Sequence, residues 1–152
     1  MSTDYIVAAL PSLKFDEKPS LTWEDFLART GFEERGEFPV DDTWRDLETE
    51  LKNTLAELRG GEKFKRKSSS CSLFWRNRII SAYAERDVLK REEALDRVWW
   101  DAAGELTPAA SPLGKGALST YAIRLKIALK RAKISKDKGN EAFDRLTAET
   151  KL

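Results

Sequence analysis

The residue types that carry most enzymatic chemistry are scarce in this chain of 152 residues. It has no histidine and one cysteine, Cys71. That removes the commonest general base and the commonest transition-metal ligand, and it leaves the thiol no imidazole to deprotonate it. Cys71 is therefore expected to be a small buried or half-buried residue. The adjacent acids Glu33-Glu34, Asp41-Asp42 and Glu92-Glu93 offer oxygens that suit Mg²⁺. Neighbours on a helix point in different directions, however, so each pair reads as a solvated face. Gly60-Gly61-Glu62-Lys63 and Gly114-Lys115-Gly116 lack the spacing of a phosphate-cradling loop. Ser68-Ser69-Ser70 has no partner base and reads as a linker. The expectation is a non-enzymatic protein with no catalytic residue, no cofactor and no metal.

What the chain does offer is charge. Charged residues make up 35% of it, above the usual share of about 25%, so many must lie on helix faces in water. Lys and Arg (27) nearly cancel Asp and Glu (26), and bulk charge implies no strong pull toward nucleic acid or membrane. Locally the balance breaks. Leu113 to Lys138 carries a net of +7, and Asp16 to Glu57 a net of −8. Either an acidic half packs beside a basic half, or two patches serve two partners.

The basic stretch must be positioned by a helix. In Ala117–Ile134, Leu118, Tyr121, Ala122, Leu125, Ala128, Leu129 and Ala132 recur at spacings of three and four, an amphipathic stripe. Arg124, Lys126, Lys130, Arg131 and Lys133 fall between them and form a cationic back. With Lys63, Lys65, Arg66 and Lys67 of the connector, these are the candidate partner-binding residues. Phe64 inside that connector gives the aromatic interleaving that sometimes marks nucleic-acid contact.

The remaining elements follow from their punctuation. Tyr5–Leu10 is a short apolar run, helix turn or strand, closed by Pro11, which pushes Leu10 out of the helical region. Thr22 reads as the N-cap of a helix over TWEDFLART, with Glu24 and Asp25 in its first turn and Gly31 just past its end. Asp41 or Asp42 caps a helix to Arg59 whose stripe is Trp44, Leu47, Leu51, Leu55 and Leu58, stopped by Gly60-Gly61. Thr54 interrupts it where a coiled coil would want an apolar residue, so the helix is expected to pack within the domain.

Cys71 to Gly104 reads as helix without proline. Leu73, Phe74, Ile80, Tyr83, Ala84, Val88, Leu95, Val98, Trp99 and Ala102 could line one long stripe. A bend near Glu85–Asp87 would instead split it into two antiparallel helices. Trp75 and Trp100 each sit beside another aromatic, and one of each pair is expected to face water or a partner. Thr107 to Gly116 is a loop, Ile134–Asp137 a short break, and a last helix is expected from Asp137 or Asn140 to Thr150, with Ala142, Phe143 and Leu146 inward.

The sum is an all-α fold, five or six helices in a compact bundle. It forms a single helical domain, 1–152, with an acidic N-terminal half (1–61), a basic connector (62–70) and a helical C-terminal half (71–152). No apolar run approaches the ~20 residues that span a bilayer, the N-terminus lacks the basic start of a secretion signal, and the lone cysteine fits a reducing cytosol.

Two segments resemble a known family. Tyr5-Ile6-Val7-Ala8-Ala9-Leu10-Pro11-Ser12-Leu13-Lys14-Phe15-Asp16-Glu17-Lys18-Pro19, followed by Trp23-Glu24-Asp25-Phe26-Leu27, is similar to the start of the bacterial family called domain of unknown function 2764. Tyr121 to Ile127, continuing to Arg131 and then Asp137-Lys138-Gly139-Asn140-Glu141-Ala142-Phe143, resembles its later motif: an apolar helix, a basic residue, then a charged turn with glycine before a Phe. Members are often encoded beside V/A-type ATPase genes, and the family distantly resembles the all-helical C subunit of those rotary ATPases. The resemblance implies an accessory or central-stalk protein similar to that C subunit. Its partners would be stalk or membrane-ring subunits, and its place the cytoplasm, peripheral to the inner membrane through the ATPase. The alternative function is a nucleic-acid-binding helical module that uses the basic connector and the basic face of the 117–134 helix.

Overall fold

The structure is a computed structural model. It describes residues 3–32, 42–60, 72–109 and 111–150, with the backbone alone for 42 and 135–150. Six α-helices are present among the described residues: α1 (Thr3–Ala9), α2 (Trp23–Thr30), α3 (Asp42–Leu58), α4 (Leu73–Tyr83), α5 (Val88–Ala103) and α6 (Lys115–Thr150). A 3₁₀ turn, Gly104–Leu106, lies between α5 and α6. The fold is all-α, with no strand among the described residues.

Local chemistry accounts for most boundaries. α1 stops at Ala9, one residue short of the Leu10-Pro11 pair. At α2 the Thr22 hydroxyl accepts from the Asp25 N–H (3.1 Å) and the Asp25 carboxylate accepts from the Thr22 N–H (3.2 Å), a reciprocal capping box. Gly31 ends that helix at φ 76°, a left-handed conformation open to glycine, and its N–H donates to the Leu27 carbonyl. Between α4 and α5 the chain reverses at Glu85–Asp87, and the Asp87 carboxylate accepts from the N–H groups of Leu89 and Lys90. The stretch after Cys71 is therefore two helices, not one. Cys71, the Glu33-Glu34 pair, Asp41 and the connector 62–70 lie outside the described residues, as do the side chains of Ala142, Phe143 and Leu146.

α3, α4 and α5 pack side by side as antiparallel neighbours. Trp44 and Leu51 of α3, Trp75 and Ile79 of α4, and Leu95 and Val98 of α5 share one core. Arg76 of α4 pairs with Glu57 near the end of α3 at 2.8 Å, and the Trp75 indole N–H donates to Glu105 beyond α5 at 2.7 Å. Thr54 fits this core because its hydroxyl donates to the Glu50 carbonyl one turn back (3.1 Å).

α6 is held from two sides. On one side lies α5, with the Thr120 hydroxyl donating to the Ala103 carbonyl (2.7 Å) and meeting the Thr107 hydroxyl (2.6 Å). Here α6 approaches so closely that a Cβ at Gly116 would overlap the Leu106 carbonyl oxygen. On the other side, Leu21 and Phe26 bury against Ala122 and Leu125, Phe26 stacks on Tyr121 at 5.6 Å, and the Tyr121 hydroxyl donates to the Pro11 carbonyl at 2.6 Å. Phe15 closes the seam against Trp100 and Ala128.

Two sequence expectations fail. The break at Ile134–Asp137 is absent, because α6 runs unbroken for 36 residues, about 54 Å. Ser135 and Gly139 each cost at most about 1 kcal/mol of helix propensity, and no proline follows to stop the helix. The stripe assigned to α4 is also on the wrong face. Leu73, Phe74 and Ile80 are exposed, whereas Trp75, Ile79 and Ala82 are buried. α4 is apolar on opposite sides, and spacing alone does not say which side the core takes.

Candidate functional site

The cationic back of α6 comes apart into separate roles. Arg124 is turned inward: its Nε–H donates to the Trp100 carbonyl at 3.0 Å and its guanidinium lies over the Trp100 ring at 5.2 Å. Burial lowers its pKa and the nearby Arg97 adds to that, while Asp101 opposes both. Arg131 lies over Phe15 at 4.2 Å and reaches Asp16 and Asp96, both at 3.5 Å, and Glu93 at 3.9 Å. Lys130 donates to Asp96 at 2.8 Å. Lys126 extends over the Trp23 ring at 4.6 Å, and Lys133 is exposed. Among the described side chains of this stretch, four of the six cations thus meet aromatic rings and acids of the same chain. Those acids sit mainly on α5, with Asp16 the one contributed by the acidic N-terminal stretch. Lys63, Lys65, Arg66 and Lys67 lie outside the described residues.

Two of these lysines do border a common feature. α3 and α6 both pack on α5, and the space between them is an open groove. One part has a volume of about 670 Å³ and runs along Leu55, Ala56, Leu95 and Trp99 to Ile127. A second, of about 370 Å³, adjoins it through the same Trp99 and Ile127 and ends at Trp44 and Ile123. From Trp44 to Arg59 along α3 the groove is roughly 22 Å long, four helical turns. Its floor is apolar. Its rims carry Arg45, Lys52, Arg59, Lys126 and Lys130 against Glu48, Glu92 and Asp96, five cations to three acids.

Trp99 explains the tandem tryptophans. Trp100 is buried, 6% exposed, against Phe15, whereas Trp99 is half-buried and lies in the groove floor. Sequence reasoning marked one of that pair for water or a partner, but missed the groove itself. It depends on how far apart α3 and α6 stand, which no spacing within one helix encodes.

The groove has the makings of a binding surface. Among the described residues no three Asp, Glu, Cys or His side chains gather as a metal site, and no helix is long and apolar enough to cross a membrane. Fold and groove together define an all-helical bundle with an open apolar groove along α3, α5 and α6. No family model matches the chain, and neither does any curated protein or solved structure.

Proposed function

We propose that this chain is a non-catalytic protein-interaction component, an accessory or central-stalk protein of a V/A-type rotary ATPase similar to its C subunit, that seats a partner helix in the groove between α3 and α6. The observation that carries the interaction reading is the groove. Three helices supply an apolar trough four turns long, and a fourth helix laid in it would complete a bundle. The excess of rim cations favours a helix whose apolar stripe is flanked by acids. The choice of assembly rests on the sequence resemblance described above.

A nucleic-acid role would need the cations of α6 in water to meet phosphates. Arg124, Lys130 and Arg131 instead have partners within the chain.

The test is co-purification of the tagged full chain from cells, beside an Ala56→Arg variant. Ala56 lines the groove, and arginine is a good helix former that would fill it. ATPase stalk subunits should be captured by the parent, and about tenfold less by the variant, whose helical circular dichroism and melting should be unchanged. Capture without any ATPase component overturns the assembly, and equal capture by both chains overturns the groove. Retention of nucleic acid that weakens steeply with salt would replace the proposal with the alternative.

A further inference from the structure

The outward face of α4 departs from the character of the chain. Leu73, Phe74, Asn77, Ile80, Ser81 and Ala84 are all exposed, and at 100° per residue they share an arc of about 120°. None is charged, in a protein that is 35% charged. The arginines that border this arc are drawn away from it, Arg76 to Glu57 and Arg78 to Asp101, both at 2.8 Å. Leu73 is 69% exposed, Phe74 60% and Ile80 39%; beyond the charged turn Glu85–Asp87, Val88 is 59% and Leu89 52% exposed. A helix apolar on both sides belongs in an interior.

We propose that a second copy of this chain covers this face, the two α4 helices meeting antiparallel about a twofold axis at Asn77. The pattern is self-complementary. Bulky Leu73 and Phe74 occupy the first turn, Ile80 and small Ser81 the last, and small Ala84 follows as the C-cap. Reversal about Asn77 sets Phe74 beside the copy's Ile80, apolar on apolar, and Leu73 beside its Ser81, large against small. The two Asn77 amides, each both donor and acceptor, satisfy one another on the axis. Val88 and Leu89 open α5 just beyond the turn that follows α4. The exposed arc of α4 itself carries no charge that would select a partner of opposite sign. The five apolar residues expose on the order of 500 Å². With the polar residues between them, each copy approaches the ~800 Å² per partner of a standard interface, so the dimer is expected in the micromolar range. This face is separate from the groove, and the inference does not depend on what the groove holds.

Sedimentation equilibrium of the full chain tests it. The parent should show a twofold mass at high concentration that dissociates on dilution. Phe74→Glu should weaken association about a hundredfold, since each copy would bury a carboxylate, with unchanged helical circular dichroism. Leu73→Lys serves the same purpose if Phe74→Glu does not fold. Asn77→Cys in a Cys71→Ser background should give a covalent dimer on mild oxidation, because only a residue near the axis meets its own copy. A single-chain mass for the parent across the concentration range overturns the proposal, as does a double mass that Phe74→Glu and Leu73→Lys leave intact. Failure of Asn77→Cys to cross-link overturns the axis.

Discussion

α6 and α4 are opposite cases of how a helix disposes of its character. α6 is rich in cations, yet four of the six among its described side chains are used within the fold: Arg124 at Trp100, Lys126 over Trp23, Arg131 at Phe15 and three acids, Lys130 at Asp96. α4 has apolar residues to spare and leaves Leu73, Phe74 and Ile80 in water. A charge-rich segment is thus a poor guide to a binding face, because a guanidinium has aromatic and carboxylate partners nearby and is stabilised by using them. An apolar residue beyond what the core can enclose has no such internal outlet. The surface that invites a partner is the one whose chemistry the fold leaves unsatisfied.

The sharpest way to break this contrast is one change made on both helices. Leu125 of α6 is 0% exposed between Phe26 and Ala122, whereas Leu73 of α4 is 69% exposed. Leu125→Ala should cost about 2–5 kcal/mol through lost burial and the cavity left behind. Leu73→Ala, measured at concentrations low enough to keep the chain monomeric, should stay within about 0.5 kcal/mol. Denaturant midpoints of the two variants decide it; comparable losses would mean that the outer face of α4 is already enclosed by its own chain.

The same contrast shows what was legible in the sequence. Caps and stops were, because they act within a few residues: Thr22 with Asp25, Gly31, and the Pro11 that ends α1. The inner face of α6 was legible in part. Leu118, Ala122, Leu125 and Ala128 are buried as their spacing implies, but Ile123 is buried as well, since α6 is gripped by α5 and by the N-terminal segment together. α4 was not legible, because two apolar stripes on opposite sides look alike until α3 and α5 choose one. The continuity of α6 through Ser135–Gly139 was hidden for a different reason. The polar run Ser135-Lys136-Asp137 reads as a break, but only proline or a left-handed cap would enforce one. The groove was invisible because it is a distance between helices. Of the residues singled out for binding, Lys126 and Lys130 border it, whereas Arg124 and Arg131 serve the interior.

A smaller effect separates structural cations from spare ones. Arg131→Ala removes the contact over Phe15 and the pairs to Asp16, Glu93 and Asp96, and Asp96, its side chain 13% exposed, keeps Lys130 as partner. The expected loss is about 1–2 kcal/mol. Arg131→Lys should recover only part of it, because an ammonium lacks the planar fork that spans ring and carboxylates at once. Lys133→Ala, on the exposed side of the same helix, should be neutral. If chemical denaturation finds Arg131→Ala equally neutral, the cationic face of α6 is free for a partner after all.

The mildest perturbation acts on the other grip on α6. Burial pushes the Tyr121 phenol up to about 12 from its ordinary 10.0, with Arg29 opposing the shift. Its proton is the one donated to the Pro11 carbonyl, which ties α6 to the N-terminal segment. The folded pKa lies above the unfolded one, so the contribution of this group is fully present below pH 10. It is lost as pH rises through about 12, because the unfolded chain ionises first. A tyrosinate absorbance titration should show a late step that Tyr121→Phe abolishes, and the parent's denaturant midpoint should fall across that window more than the variant's. Identical titration curves in that window would mean that Tyr121 is not held by Pro11. The close attachment of the N-terminal segment would then rest on the packing of Leu21 and Phe26 against Ala122 and Leu125, of Phe15 against Ala128, and on the Arg131–Asp16 pair.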